Sequence, residues 1–136
     1  MEVIPGLFHL TYIQNTGAAF GILSDAPEFF RVFFLIGISL IALIVLGILF
    51  AKVPANRVQV LIPLALIIGG ASGNLVDRLY QQKVIDFLDF FWREHHWPSF
   101  NVADSAITVG AITLMAVTLF SRERDIFSKG GEPCNL

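Results

Sequence analysis

Charged side chains are scarce in this sequence of 136 residues. Lysine, arginine, aspartate and glutamate make up 15% of the chain, whereas 55% of the residues are hydrophobic and the mean hydropathy is +0.71. Charged residues account for about 25% of an average soluble domain. The composition therefore excludes an ordinary soluble domain and indicates a membrane protein.

Several features that carry function in other proteins are also missing. The single cysteine, Cys134, has no second cysteine with which to form an internal disulfide. The net charge of −2 comes without any basic patch interleaved with aromatic residues, so nucleic acid is not an expected partner. No glycine loop that could cradle a phosphate is present. The N-terminus lacks the basic region and apolar core of a cleavable signal peptide.

Metal and serine chemistry have little support. His9, His95 and His96 do not have a metal-ligand spacing with acidic partners on a helix. No serine has a histidine or lysine in an arrangement that would activate it as a nucleophile. We therefore predict no metal and no cofactor.

Three apolar stretches are present, and each approaches the 20 or so residues that a membrane-spanning helix requires. They are residues 32–51, 58–76 and 103–120. The first carries no charge, the second has only Gln59 and Asn74 as strongly polar side chains, and the third has only one acid. We predict three transmembrane helices.

The basic residues orient these helices, because lysine and arginine in short loops favour the cytoplasm. Lys52 and Arg57 lie between the first two spans, and the tail at 121–136 carries three more basic residues, Arg122, Arg124 and Lys129. Both segments are therefore predicted to be cytoplasmic. Residues 1–30 and about 77–99 then lie on the opposite face.

The segments on that outer face have the composition of strands. Residues 7–14 and 83–92 are rich in aromatic and branched side chains, and a turn is predicted after the first. Trp92 and Trp97 are typical of an interfacial aromatic belt. The predicted fold is a single domain over residues 1–136, an all-α polytopic membrane protein with a small extracytoplasmic β-containing cap.

Two aspartates lie where a membrane protein should least accommodate them. Asp86 interrupts an apolar run, and Asp104 opens the third span. An acid in lipid is costly and indicates a functional site with a partner. Two adjacent carboxyls cannot both ionise easily, so one keeps a proton while the other activates a water, which could hydrolyse an amide. Asp89 would face the other way on a strand and Asp25 lies in a turn-like stretch, so we interpret both as structural.

The end of the second span is polar along one helical face. Asn74, Asp77 and Arg78 follow the spacing i, i+3, i+4. An amide and a guanidinium beside carboxylates can hold a peptide carbonyl, whereas for Asp77 a purely structural ion pair is equally open. Just before them, Gly69 and Gly73 are four residues apart, a spacing that lets two membrane helices approach closely.

The start of the third span repeats this pattern. Asn101, Asp104 and Ser105 would present an amide, an acid and a hydroxyl on one face. The alternative is that Asn101 caps the helix and Asp104 complements its N-terminal dipole.

Four sequence blocks resemble the signature blocks of the lipoprotein signal peptidase family, also called signal peptidase II. They occur in the family's order and cover most of the chain. The blocks are NTGAAFG at 15–21, GASGNLVDRL at 70–79, VIDF at 84–87 and FNVADS at 100–105.

The resemblance implies an aspartic endopeptidase of the bacterial cytoplasmic membrane, with its active site near the extracytoplasmic face. Its substrates would be diacylglyceryl-modified prolipoproteins, cleaved just before the lipidated cysteine after entering sideways from the bilayer lipids. By the same resemblance Asp86 and Asp104 form the catalytic dyad. The resemblance also places four residues in or beside the substrate site, which the antibiotic globomycin would occupy: Asn15, Asn74, Arg78 and Asn101. It leaves Asp77 and Gly17 as structural residues near the site, and it implies a β-cradle that matches the predicted outer strands.

The family pattern also includes an additional first transmembrane helix, which supplies an aspartate and a lysine near the site. The chain begins after that helix, at Met1. We expect absence of the helix to impair folding or activity, because a bundle that lacks one wall exposes polar groups to lipid.

Two other functions remain open from the residues alone. One is a small transport or ion-conducting subunit in which Asp86, Asp104 and Arg78 form a relay, which would spread the acids through the depth of the membrane. The other is a membrane assembly factor without enzymatic activity, held by its glycine face. The shared-proton dyad predicts instead that activity falls at both low and high pH and is insensitive to chelators.

Overall fold

The computed structural model describes residues 1–18 and 21–120, which form three long helices and a small sheet. In chain order the elements are β1 (Glu2–Ile4), β2 (Phe8–Asn15), α1 (Glu28–Lys52), α2 (Val58–Gln81), β3 (Val84–Trp92), β4 (His95–His96) and α3 (Val102–Phe120). The predicted tail at 121–136, with its basic residues and Cys134, lies outside the described residues.

The three predicted spans are all helical, and each helix extends beyond its predicted bounds, α3 by a single residue. Helix α1 begins at Glu28 rather than at residue 32, and α2 continues to Gln81 rather than ending at 76. Asp77 and Arg78 therefore belong to α2 and not to a connecting segment. The apolar pattern is shorter than the helix, because the end of a helix at the membrane margin can carry polar side chains that extend into polar surroundings.

Each helix is long and apolar enough to cross a membrane. Helix α1 exposes a row of large apolar side chains along its length, among them Phe33, Ile41, Ile44 and Ile48. Such a surface would be a liability in water but is the expected covering of a helix in lipid. The exposed apolar face of α1 therefore agrees with the membrane class predicted from composition.

Helices α2 and α3 pack closely at two glycines, which have no side chain to separate the backbones. A Cβ atom on Gly70 would collide with the carbonyl oxygen of Ala103 and lie 2.8 Å from Cγ1 of Ile107. A Cβ on Gly110 would lie 2.7 Å from the carbonyl oxygen of Pro63. The backbones can approach this closely only without those side chains.

This contact corrects the glycine prediction in one respect. The spacing pointed to Gly69 and Gly73, but a Cβ on Gly69 would meet nothing within 4 Å, and one on Gly73 would make an ordinary contact of 3.6 Å with Ala103. The face of α2 that meets α3 passes through Gly70 instead. A run of adjacent glycines cannot reveal from its spacing alone which of them faces the neighbouring helix.

The strands form one antiparallel sheet in the order β1-β2-β3-β4. The two central strands match the predicted ones, and the short outer strands β1 and β4 were not predicted. A bulge in β2 between Leu10 and Ile13 shifts the register so that Ile13 lies opposite Asp86 and Asn15 opposite Val84. The end of β2 thus lies beside the acid on β3.

A tight turn joins α2 to this sheet. Gln82 adopts the left-handed conformation with φ 58°, and its N–H donates to the carbonyl oxygen of Arg78 at 2.9 Å. Strand β3 begins two residues later, at Val84. The turn therefore reverses the chain so that β3 runs back past the end of α2. Asp86 lies two residues after the start of β3.

Candidate active site

Five polar side chains from four parts of the chain meet at the junction of helices and sheet. Asp86 comes from β3 and Asp104 from the first turn of α3, while Asn74 comes from α2, Asn15 from the end of β2 and Asn101 from the residue before α3. Asn74, Asp86 and Asn101 are buried. Because buried polar groups must be hydrogen-bonded, their partners define the geometry of the site.

Asn101 and Asp104 cap helix α3 reciprocally. The Asn101 side-chain oxygen accepts from the Asp104 N–H at 3.0 Å, and Oδ2 of Asp104 accepts from the Asn101 N–H at 3.1 Å. This pairing is a capping box, with aspartate in the position that glutamate or glutamine often holds. The capping alternative therefore describes the local geometry correctly. It also fixes the Asp104 carboxylate in position, with Oδ1 directed away from the cap.

The amides of Asn74 and Asn101 connect the two acids. Nδ2 of Asn101 donates to Oδ1 of Asp86 at 3.1 Å and to Oδ1 of Asn74 at 3.2 Å. Nδ2 of Asn74 in turn donates to Oδ1 of Asp104 at 2.9 Å. An unbroken path of hydrogen bonds therefore runs from one carboxylate to the other, and a shift of either amide would be felt by both acids.

Asp86 is the more deeply buried acid, with 4% of its surface exposed. Burial raises the pKa of Asp86 above its usual value, and the nearby charge of Asp104 acts in the same direction. Hydrogen bonds from Asn15, at 3.1 Å to Oδ2, and from Asn101 oppose that rise in the pKa, as does the charge of Arg78. Burial is the largest of these effects, so Asp86 holds a proton more readily than an exposed aspartate.

Arg78 lies beside the acids and connects the loop after β2 to α2. Its guanidinium donates through long hydrogen bonds to the carbonyl oxygens of Gly17, at 3.4 Å, and Asn74, at 3.5 Å. Its buried Nε has no partner within the described residues. Gly17 is required there, because a Cβ would collide with the carbonyl oxygen of Ile22. The guanidinium thus keeps donor capacity for a further acceptor.

A cavity of about 760 Å³ opens beside the carboxylates and continues between the helices. Ser39 and other residues of α1 form one wall, and residues of α3 form the other. The wall residues are Leu35, Ile38, Ser39 and Ala42 of α1 with Ile107, Thr108 and Val109 of α3. Trp97, Pro98 and Ser99, which follow β4, also line it. An apolar space with a few convergent polar groups is the usual form of a ligand site.

The predicted site residues divide into two groups in this geometry. The residues that line the cavity are Asn15, Asn74, Arg78, Asp86 and Asp104. Asn101 is buried behind the acids, with 5% of its surface exposed, so its position suits holding the carboxylates rather than touching a ligand. Asp77 is half-buried and lies outside the described lining of the cavity. The chemical roles of all these residues stay predictions.

Sequence reasoning missed the contribution of α1. Ser39 lines the cavity, and its hydroxyl donates to the carbonyl oxygen of Leu35 at 2.7 Å. A single serine in a charge-free apolar span was the available signal. That signal is weak, because serine in a membrane helix commonly satisfies itself by bonding back to its own backbone.

A second polar cluster lies around Asp89, which has 6% of its surface exposed and alternates with Asp86 on β3. Both Asp89 oxygens lie 3.0 Å from Nδ1 of His96, and Oδ2 lies 3.8 Å from Nδ1 of His9. The structural interpretation of Asp89 agrees with this arrangement, because the carboxylate joins strands β2, β3 and β4. Within the residues that the structure describes, no group of three or more histidine, cysteine or acidic side chains is placed to hold a metal ion.

Comparison with known proteins agrees with this arrangement. Residues 1–120 match the family model described as Signal peptidase (SPase) II. The chain is 47% identical over 128 residues to a lipoprotein signal peptidase of Sulfurihydrogenibium sp. (strain YO3AOP1), covering 93% of this chain and 78% of the relative. It is 48% identical over 124 residues to that of Geobacter metallireducens, covering 91% of this chain and 75% of the relative.

A solved structure described as a bacterial membrane enzyme has the same fold. It superposes with a TM-score of 0.76 at 34% identity, covering 96% of this chain and 76% of that one. The match to the family model spans all three helices and the sheet, and so includes every residue of the carboxylate network. The chain therefore belongs to the signal peptidase II family of multi-pass membrane aspartic endopeptidases, and its activity is that of a lipoprotein signal peptidase.

Proposed function

We propose that this peptidase cleaves diacylglyceryl-modified prolipoproteins just before the lipidated cysteine, with Asp86 and Asp104 as its catalytic pair. The observation that carries the proposal is the path of hydrogen bonds that joins the two carboxylates at the head of the cavity. Family membership supports the reaction class, and the shared amides support the choice of these two acids.

In the proposed mechanism the pair holds one proton. Asp86, with its raised pKa, carries the proton, and Asp104 is ionised and acts as the base. A water gives its proton to Asp104 as its oxygen attacks the scissile carbonyl carbon, while Asp86 donates to the carbonyl oxygen. Breakdown of the tetrahedral intermediate then passes the proton from Asp104 to the leaving nitrogen, while a hydroxyl proton of the intermediate returns to Asp86 as the carbonyl re-forms. General acid and base catalysis of this kind contributes typically 10²- to 10⁴-fold in rate.

The amides and the guanidinium have separate tasks in this proposal. Asn15, Asn74 and Asn101 hold the carboxylates in position, since each donates to an acid or to another member of the network. Arg78 has donor capacity left beside the acids and is the residue proposed to hold a substrate carbonyl.

The cavity supports the proposed substrate class. Its walls of apolar side chains between α1 and α3 suit an apolar signal peptide that reaches the acids from within the membrane. We place the site near the extracytoplasmic face, because the basic loop between α1 and α2 lies at the opposite end of the helices. A globomycin-type cyclic peptide would compete for the same space.

The test is cleavage of a lipid-modified prolipoprotein by the purified chain in detergent or lipid. We expect Asp86→Asn and Asp104→Asn each to reduce kcat by at least about 10²-fold, because each removes one partner in proton transfer. Asp25→Asn is the matched control, since Asp25 is exposed and lies outside the cavity lining. Full activity in either Asp86→Asn or Asp104→Asn would refute the assignment of the pair.

A further inference from the structure

The polar cluster around Asp89 lies on the sheet and has no task in the proposed mechanism. Nδ1 of His96 lies 3.0 Å from each oxygen of the buried Asp89 carboxylate. On β2, Nδ1 of His9 lies 3.8 Å from Oδ2 of Asp89, and Nε2 of His9 lies 3.9 Å from Oε1 of Glu2. Two acids and two histidines, one from each strand, therefore alternate across the sheet.

Protonation of His96 strengthens its contact with Asp89. An ionised carboxylate only accepts hydrogen bonds, so the proton of a neutral His96 lies on Nδ1, and a further proton binds at Nε2. The imidazolium then adds the attraction of opposite charges to the hydrogen bond. Histidine ordinarily changes its charge between pH 5 and 8. The contact between β3 and β4 is therefore tightest at acid pH.

The surroundings of His96 make Asp89 its partner in charge. Among the described residues, the ion pairs of both histidines are with Asp89 and Glu2. The ring of Phe91 packs against both imidazoles, with its centroid 4.2 Å from that of His9 and 5.0 Å from that of His96. The titratable residues just before it in the chain are exposed: Arg93, Glu94 and His95. When both histidines are neutral, the buried carboxylate has no opposite charge in the cluster, which is unfavourable.

The chain after β4 is held to β3 at two points. The Trp97 N–H donates to the carbonyl oxygen of Phe90 at 2.8 Å. The Phe100 N–H donates to the carbonyl oxygen of Leu88 at 3.1 Å. These two acceptors are the neighbours of Asp89 along β3, so the Asp89 side chain adds a titratable contact to two backbone bonds that do not titrate.

The segment between these two backbone bonds reaches the proposed catalytic pair. Pro98 and Ser99 line the large cavity together with Asp86. Asn101 follows this segment closely, and its Nδ2 donates to Oδ1 of Asp86 at 3.1 Å. The firmness with which β4 is held therefore affects the wall of the cavity next to the acid.

We propose that His96 and Asp89 form a pH-dependent positioning pair, which holds residues 97–99 at the substrate cavity most firmly when His96 is protonated. The inference rests on the proposed function, because it takes the cavity as the place where the substrate binds. Neither residue lines the cavity, so the pair acts through the segment that follows β4. The KM for the prolipoprotein should therefore rise with pH, independently of proton transfer by the catalytic pair.

The experiment measures KM for a lipid-modified prolipoprotein without histidine, at about pH 5 and about pH 8. It compares the wild type with His96→Asn, whose amide can donate to Asp89 but cannot take up a proton. We expect the ratio of KM at the higher pH to KM at the lower pH to be about two- to fivefold larger in the wild type. An equal ratio in both proteins would overturn the positioning pair.

His95→Asn is the matched control. His95 is the exposed neighbour of His96 on β4, and it also lies outside the cavity lining. This variant should keep the wild-type ratio of KM values. Loss of the pH response in His95→Asn as well would overturn the inference, because it would show a general effect of removing a histidine from β4.

His96→Ala and His96→Gln complete the series. Alanine removes the donor, so KM should be higher in His96→Ala than in His96→Asn at both pH values. Glutamine carries the same amide on a longer side chain and should share the weak pH response of His96→Asn, which covers a failure of the asparagine variant to fold. No difference in KM between the alanine and amide variants would contradict the role of the contact with Asp89.

The failure of this inference is distinguishable from the failure of the proposed function. Cleavage that depends on Asp104, with the same KM ratio in the wild type and His96→Asn, would remove the positioning pair and leave the peptidase mechanism intact. Cleavage that persists in Asp104→Asn would remove the catalytic pair. The comparison of KM values between the His96 variants would still decide the inference, because it does not depend on which acids transfer the proton.

Discussion

Asn101 illustrates how single residues in this site serve stability and chemistry together. Its side-chain oxygen caps α3, while its Nδ2 donates to Asp86 and to Asn74. Capping asparagine contributes about 1 kcal/mol relative to alanine. The same side chain opposes the rise in the pKa of Asp86, because it stabilises the ionised carboxylate.

Asn101→Ser separates these two roles. Serine caps a helix as well as asparagine does but is too short to keep the amide bond to Asp86. Loss of that bond removes a factor that lowers the pKa of Asp86, so this pKa rises further. Since Asp86 must be protonated to act as the acid, the alkaline limb of the pH profile of kcat/KM moves to higher pH. The variant keeps the cap but loses the buried bonds to Asp86 and Asn74, so it should be less stable than the wild type by about 1–3 kcal/mol.

Asn101→Ala is the companion variant. It loses the cap as well as the bond to Asp86, so it should show the same shift in pH profile together with a stability about 1 kcal/mol below that of Asn101→Ser. A pH profile that is unchanged in both variants would contradict the role of Asn101 as a positioning residue for Asp86.

Among the secondary structure elements, the contact between α2 and α3 brings Asn74 to Asp104. Gly70 lies one helical turn before Asn74, and its missing side chain lets the backbone of α3 approach at Ala103. Asp104 is the next residue along α3. The separation of the two helices therefore sets the 2.9 Å bond between Asn74 and Asp104.

Gly70→Ala should push these helices apart. The added methyl would collide with the Ala103 carbonyl oxygen, and overpacking of this kind costs about 1–3 kcal/mol. We expect lower thermal stability and a kcat reduced by at least about tenfold, because proton transfer depends steeply on distance. Gly69→Ala is the control, since a Cβ there meets nothing within 4 Å. Equal effects of the two variants would show that this contact does not set the site geometry.

A hydrogen bond between strands β3 and β4 is a second contact between elements near the cavity. His96 lies 3.0 Å from both oxygens of Asp89, and the chain after it, residues 97–99, lines the cavity. His96→Ala would leave the buried Asp89 without its closest partner, at a cost of about 1–3 kcal/mol. We expect a raised KM for the prolipoprotein, whereas His95→Ala, at an exposed neighbouring position, should leave KM unchanged. A rise in KM of equal size in both variants would argue against a specific role of the contact between His96 and Asp89.

For the whole molecule, the sheet and the basic loop lie at opposite ends of the helices. The acids gather at the sheet end in one connected network, which favours a peptidase site over a relay spread through the membrane. The loop between α1 and α2 carries Lys52 and Arg57, so the sheet is predicted to face outward.

Cysteine labelling tests this orientation, because the chain has only one native cysteine to remove. In a Cys134→Ser background, Tyr12→Cys in the sheet should react with a membrane-impermeant maleimide added to intact spheroplasts. Tyr12 is 68% exposed. Ala55→Cys in the loop between α1 and α2 should react only after permeabilisation. The reverse labelling pattern would contradict the proposed orientation and place the sheet on the cytoplasmic side.

Local interactions allowed much of this protein to be predicted from its residues. Hydropathy and length determined the three helices, and branched and aromatic residues determined the two central strands, because both signals act over neighbouring positions. The capping of α3 by Asn101 and Asp104 is equally local, since the two residues are three positions apart. Pairing of Asp86 with Asp104 came instead from chemical cost and family resemblance.

Tertiary structure alone decided how those elements meet. Asp86 reaches the network because Gln82 turns the chain back after α2, and because the bulge in β2 sets Asn15 beside it. The choice of Gly70 over Gly69 likewise depends on which face of α2 meets α3. Hydropathy periodicity records how apolar each position is, but not which partner it packs against. The sequence by itself therefore determined the elements and the reactive residues, whereas the contacts between distant segments determined their distances.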